Sequence, residues 1–226
     1  SDYGTSEMGY SVALNSNTMA VGMPGEDSVP SGDYGWSSGK VALYEYSGSN
    51  WYRSQEIEPL DNASDDRFGH SISLSENVMV IGAPDDSNTT NTSAGSAYIY
   101  ELAGGNWVEQ EKVGSDLMLV GKPDERFGSS VAASDDTVVV GAPQNSDNGT
   151  YSGAAYVFTK INGRLRFLTK FTEPTPDAYN YFGASVSIEG DTMAISADFS
   201  DVSGPFYGAV YVYKRTNGSW YHVDTL

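Results

Sequence analysis

The chain contains no cysteine. Disulfides, thiolate catalysis and cysteine-held zinc or iron–sulfur centres are therefore excluded. The compartment stays open, because a chain of 226 residues can fold in an oxidising space without bridges. Bases are scarce too, 12 Lys and Arg against 30 Asp and Glu, for a formal charge of −18. Such a chain has no basic patch to release counterions from a nucleic acid, and it is repelled by anionic membrane surfaces. No apolar run approaches the roughly 18 residues a spanning helix needs, so membrane insertion by helices is not expected. A signal-peptide core is missing, and the sequence opens on Ser rather than Met, as expected of a processed or excised chain.

What is abundant is equally informative. There are 25 glycines and 16 tyrosines, with many Ser, Thr, Asn and Asp, and no long stretch has helical periodicity. That is the make-up of short strands joined by tight turns.

Self-comparison decides the architecture. Four segments align: Met8-Gly9-Tyr10-Ser11-Val12, Phe68-Gly69-His70-Ser71-Ile72, Phe127-Gly128-Ser129-Ser130-Val131 and Phe182-Gly183-Ala184-Ser185-Val186. Thirteen residues past each glycine lies a second anchor: Gly22-Met23-Pro24, Gly82-Ala83-Pro84, Gly141-Ala142-Pro143 and the degenerate Ser196-Ala197-Asp198. After a variable polar loop comes Gly39, Gly95, Gly153 or Gly208. Five residues on stands Tyr44, Tyr100, Phe158 or Tyr213, and twelve on stands Trp51, Trp107, Leu165 or Trp220.

Each copy reads as four strands. The second and third are almost solidly apolar, as in Val78-Met79-Val80-Ile81 and Ala97-Tyr98-Ile99-Tyr100, which predicts cover on both faces. The fourth mixes Arg, Gln, Glu and Lys with apolar residues, which predicts a wet edge. Four antiparallel sheets of this kind, packed face to face about an axis, make an all-β propeller. Small residues at Ser11, Ser71, Ser130 and Ser185 suit the crowding near that axis. The expectation is one domain over residues 1–226, with blades at about 1–60, 61–116, 117–174 and 175–226.

The Phe-Gly and Gly-Ala-Pro anchors, thirteen residues apart, resemble the FG-GAP repeat of integrin α-chain propellers and of microbial and protist secreted proteins. Segments such as Gly153-Ala154-Ala155-Tyr156-Val157-Phe158 lie nearest the microbial and protist branch. The resemblance implies a β-propeller of four FG-GAP repeats, with an extracellular or cell-surface setting. The chain departs from the integrin pattern in having four copies rather than seven, no cysteine, and a link between strands one and two too short to wrap a calcium ion. Four copies close as a small ring, form part of a longer ring, or are completed by neighbouring subunits. Self-assembly through edge strands or terminal blades is expected in the last case.

No catalytic and no cofactor-binding residue is assigned. His70 stands where other copies have Ser129 and Ala184, and it reads as a strand residue. His222 lies on an edge strand. The loops after the second anchor carry the remaining candidates. Asp85, Asp86, Asp198 and Asp201 are candidate ligands for a structural calcium. Glu26, Asp27, Tyr34, Trp36 and Asp147 are candidate partner contacts, with the acids preceding each Phe-Gly (Glu7, Asp65, Asp66, Asp124, Glu125, Asp177) close by. Asn62, Asn88, Asn91, Asn148 and Asn217 begin glycosylation sequons in expected loops or turns. The functional expectation is a non-catalytic extracellular module for adhesion, recognition or assembly, with a protein or glycan partner. The alternative is a carbohydrate-active or hydrolytic enzyme, or the propeller of one, using loop carboxylates.

Overall fold

The computed structural model describes residues 6–26, 37–87, 93–114, 123–161, 164–200 and 207–226. Among the described residues every regular element is a strand, and each sheet is an up-and-down meander of four. Blade one holds β1 (Val12–Leu14), β2 (Thr18–Met23), β3 (Lys40–Tyr46) and β4 (Trp51–Ile57). Blade two holds β5 (Ser71–Leu74), β6 (Val78–Ala83), β7 (Ser96–Ala103) and β8 (Asn106–Gly114). Blade three holds β9 (Ser130–Ser134), β10 (Thr137–Ala142), β11 (Ala154–Ile161) and β12 (Arg164–Phe171). Blade four holds β13 (Phe182–Glu189), β14 (Thr192–Ala197), β15 (Ala209–Thr216) and β16 (Ser219–Thr225). The chain is thus a β-propeller built from four four-stranded antiparallel blades.

Local chemistry sets these hairpins. Asn15 turns β1 into β2 by accepting the Asn17 and Thr18 amides on its Oδ1, and Ser75 accepts the Val78 amide in the next copy. The third and fourth strands of every blade slip register at the same place, immediately before Tyr44, Tyr100, Phe158 or Tyr213. A bulge there increases the twist of the outer edge. The spacing of thirteen residues has a direct cause. The amides of Gly9, Gly69 and Gly128 donate to the carbonyls of Gly22, Gly82 and Gly141 at 3.0, 3.1 and 3.0 Å, closing each first hairpin at fixed length.

Blades meet at three seams built alike. Phe68, Phe127 and Phe182 are 0, 1 and 0% exposed, wedged between their own blade and the one before. Their amides donate to Ser38, Ala94 and Ser152 of the preceding blade at 2.9, 3.0 and 3.0 Å. The serines whose small size suits the axis also use their hydroxyls. Ser11, Ser71 and Ser130 donate to the carbonyls of Gly69, Gly128 and Gly183 in the following blade at 2.7, 2.8 and 2.8 Å.

The two end blades differ from the inner ones. Among the described residues the first and fourth sheets share no such seam. Met8, the counterpart of the buried phenylalanines, is 58% exposed, and Tyr10, Val12 and Leu14 are exposed beside it. In blade four, residues 193–197 of β14 and 209–213 of β15 alternate between buried and half-buried although nearly all of these residues are apolar or aromatic. Ala194, Val210 and Val212 are half-buried because no sheet covers them, whereas their counterparts Val80, Ala97 and Ile99 are buried.

Candidate functional site

The links from the second to the third strand emerge on one end of the propeller, and all four are pinned identically at the base. Glu26, Asp86, Asn145 and Ser200 each donate their amide back to the second strand, and their carbonyls accept from Gly39, Gly95, Gly153 and Gly208 at 2.9, 3.0, 2.9 and 3.1 Å. In blades two to four the side chain at this position turns inward to a buried tyrosine. Tyr98 Oη donates to Asp61 at 3.0 Å and Asp86 at 3.2 Å, and Lys112 bridges both carboxylates at 2.6 Å. In blade three, Asn145 donates to Glu125 at 2.8 Å, and Lys170 donates to the Asn145 Oδ1 at 3.1 Å. In blade four, Glu173 accepts from Asn180, Ser200 and Tyr211.

These networks correct the reading of the acids that precede Phe-Gly. Asp66 and Glu125 are buried supports beneath the rim, not solvated rim groups. Asp66 accepts the Ala63 amide at 2.9 Å. Burial, then the nearby Asp86, pushes its carboxyl up to about 7. Glu173 escaped sequence reasoning because it lies at no repeated position. Burial, then Asp86 and Asp61, raises the Tyr98 phenol far above its ordinary value. The burial of Lys112 works against its charge, but Asp61 and Asp86 outweigh it and raise its pKa.

Above this layer is the rim proper. The residues two before each repeat glycine, Glu7, Arg67, Arg126 and Tyr181, all have left-handed backbone, with φ of 53, 57, 53 and 54°. Across the first two seams the rim is charged. Arg67 pairs with Glu7 at 3.2 Å and approaches Asp85 at 4.0 Å, and Arg126 pairs with Asp85 at 2.9 Å. Beside this chain of charges runs an open groove of about 590 Å³, lined by Ser37, Ser64, Asp65, Ser87 and Ser93 along with the charged groups. His70 is half-buried, its Nε2 3.1 Å from the Tyr10 hydroxyl. Burial, then Arg67 and Arg126, lowers its pKa to about 4, so His70 is neutral over most of the working pH range.

The third seam is aromatic instead. Tyr151 stands where the earlier seams have Ser37 and Ser93, Tyr179 where they have Asp65 and Asp124, and Tyr181 where they have Arg67 and Arg126. All three keep the left-handed backbone of those positions, at φ of 52, 68 and 54°. Bulky side chains rarely adopt that conformation. Tyr151 stacks on Tyr181 with centroids 5.9 Å apart, Tyr179 meets Tyr151 edge-on, and Phe199 meets Tyr181 edge-on at 5.7 Å. Tyr179 and Phe199 are 54 and 48% exposed.

The remaining candidate residues are dispersed. Asp85 and Asp86 are neighbours in sequence but divide between the Arg126 ion pair and the Tyr98–Lys112 network. Asp198 is exposed and accepts from the Ser196 hydroxyl at 3.3 Å. Among the described residues no three His, Asp or Glu side chains are grouped as metal ligands. Glu26 is half-buried at the base of its loop, and Asp147 is an exposed partner of Lys170. Asn148 and Asn217 are exposed, while Asn62 is half-buried with its Oδ1 enclosed. His222 is within 2.8 Å of the Thr225 hydroxyl on the wet edge. Asp27, Tyr34, Trp36, Asn88, Asn91 and Asp201 lie outside the described residues.

Fold and rim together define a repeat propeller with a decorated loop end. The FG-GAP repeat profile matches residues 51–100, 107–158 and 166–213, and the chain belongs to that family. Each match takes in the fourth strand of one blade and the first three strands of the next, so the sequence unit straddles a seam. The chain is 27% identical to integrin alpha-7 of Rattus norvegicus over 146 residues, covering 62% of this chain and 12% of that protein's length. The crystal structure of Saccharomyces cerevisiae Sqt1, a propeller-like protein, matches with a TM-score of 0.52 at 10% identity. The match covers 97% of this chain and 48% of that one, and it speaks to fold alone.

Proposed function

We propose that this chain is a non-catalytic recognition module of an extracellular or cell-surface protein, and that its loop rim contacts a protein or glycan partner. Membership in the FG-GAP family and the similarity to an integrin α-chain support a propeller that recognises rather than transforms. The acidity of the chain and the exposed sequon residues Asn148 and Asn217 support the extracellular setting.

The observation that carries the reading is the cluster of Tyr151, Tyr179, Tyr181 and Phe199. Rings gathered at a solvent-facing seam, three of them in a backbone conformation that disfavours bulk, are hard to account for by packing. Tyrosines so placed offer apolar area with polar tips, the usual composition of a binding hot spot. Among the described residues Asp66, with its raised pKa, is the feature that favours a hydrolytic reading. It is buried, and the adjacent groove is lined by Asp65 and Arg67 instead.

The test is binding of the labelled chain to glycan arrays and to intact cells. The double variant Tyr179→Ala/Phe199→Ala is expected to lose about tenfold or more in affinity at unchanged Tm. Arg53→Ala, on the exposed β4 edge, serves as the control. Binding that survives the aromatic change and falls with the edge change would overturn the assignment of the rim.

A further inference from the structure

We infer that the fourth blade carries a built-in stop. Ser196 closes the notch through which the other three blades receive their neighbour, so the trailing face of blade four refuses the first blade of a second copy of this chain.

The notch is defined by three occupied examples. A Cβ at Gly22, Gly82 or Gly141 would sit 2.1, 2.0 or 2.0 Å from the carbonyl oxygen of Gly69, Gly128 or Gly183 in the following blade. The obstacle is backbone, held by the seam hydroxyl of Ser11, Ser71 or Ser130, and cannot swing aside. Only glycine fits there. The fourth position holds Ser196, and its side chain is tied on two sides. Its Oγ accepts the Ser185 amide at 2.9 Å and donates to Asp198 at 3.3 Å.

Two further changes coincide at the same place. Gly39, Gly95 and Gly153 each lie against the backbone of the following Phe, where a Cβ would come within 2.1, 2.1 and 2.2 Å of its oxygen. A Cβ on Gly208 would instead meet Asp198 of its own blade at 2.9 Å. Asp198 replaces the proline of the other copies and adds a carboxylate to the open groove of about 500 Å³ on this face, which Tyr207, Val210 and Leu226 also line.

The incoming segment of a second copy would be Met8-Gly9-Tyr10, backed by Val12 and Leu14, and all four of its apolar side chains are exposed. Without a stop, that apolar leading face and a receptive trailing face on one chain would form a heterologous contact that repeats from copy to copy. Ser196 removes the receptive half.

Two experiments test this. Sedimentation of the chain against Ser196→Gly, across a range of concentrations, is expected to show self-association tightened about tenfold or more in the variant. Adding Val12→Asp on the opposite face is expected to abolish the gain. In the converse change, Gly141→Ser places the stop inside an occupied seam. It is expected to lower Tm by roughly 5 °C or more and to expose the link between blades three and four to protease, while Ser196→Gly, which loses only the exposed hydrogen bonds of its hydroxyl, lowers Tm less and leaves that link protected. The inference is overturned by a Ser196→Gly chain that associates no more than the parent. It is equally overturned by a parent that already joins blade four to blade one, or by a Gly141→Ser chain as stable as the parent. None of these outcomes depends on the partner proposed for the rim.

Discussion

The Ser71 hydroxyl donates to the Gly128 carbonyl oxygen at 2.8 Å, so a side chain of the second blade grips the backbone of the third. The same oxygen lies over the bare Cα of Gly82, where a Cβ would approach it to 2.0 Å. The hydroxyl draws the carbonyl in, and the missing Cβ leaves it room. Stacking of these blades therefore rests on hydrogen bonding and on the absence of an atom, in addition to apolar burial.

Loss of either half should be measurable and unequal. Ser71→Ala removes one hydrogen bond and is expected to cost about 1 kcal/mol, roughly 2–4 °C in Tm. Gly82→Ala forces a seam apart against backbone and is expected to cost on the order of 3 kcal/mol, roughly 6–12 °C. Thermal unfolding of the two variants checks the order. An alanine at position 82 that is tolerated better than one at position 71 contradicts the notch.

Asp66 should make the protein less stable as pH rises. Its carboxyl titrates at about 7 when folded against 3.8 ordinarily, so between those values the folded state keeps a proton that the unfolded chain releases. The contribution is complete below pH 3.8 and is lost as pH climbs to about 7. Asp66→Asn keeps an acceptor for the Ala63 amide without the charge. Its Tm is expected to exceed that of the parent above pH 7, by a margin that shrinks as pH falls toward 3.8. A parallel pair of Tm–pH curves would refute this.

His70 acts in the opposite direction. Its folded pKa of about 4 lies below the ordinary 6.5, so acidification through that interval protonates the unfolded chain first and destabilises the fold. His70→Gln is expected to remove the loss of stability on acidification between pH 6.5 and about 4, so that in this interval the variant follows Asp66 alone and becomes less stable as pH rises. A Tm difference between variant and parent that is the same at pH 6.5 and at pH 4 counts against a half-buried neutral imidazole.

The sequons give a test of the extracellular setting. Secretion from a eukaryotic host should attach glycan at Asn148 and Asn217, which are exposed, and far less at the half-enclosed Asn62. Peptide mass mapping after enzymatic deglycosylation reads occupancy site by site. Bare Asn148 and Asn217 on a secreted chain would count against it.

The blades were legible because their rules are local. The first-hairpin spacing, the Asx and Ser turns and the polar fourth strand each follow from residues a few positions apart. The buried acids were not legible. Glu125 meets Asn145 and Glu173 meets Tyr211 across long stretches of chain, and nothing near Asp66 in sequence marks it as covered. The aromatic seam lies between these cases. Aligning the copies places Tyr151, Tyr179 and Tyr181 opposite Ser, Asp and Arg, a departure visible before any coordinates. Only the fold shows that the three rings and Phe199 converge.

The offset between the family's sequence unit and the blade has an evolutionary consequence. A unit that begins at or just inside the outer strand breaks the chain near an exposed hairpin, such as the turn at Gly104 and Gly105. Duplicating or deleting such a cassette cuts no glycine notch and no phenylalanine wedge. Lineages can lengthen or shorten the array by recombination at solvent-facing turns, each gain arriving with its junction already made.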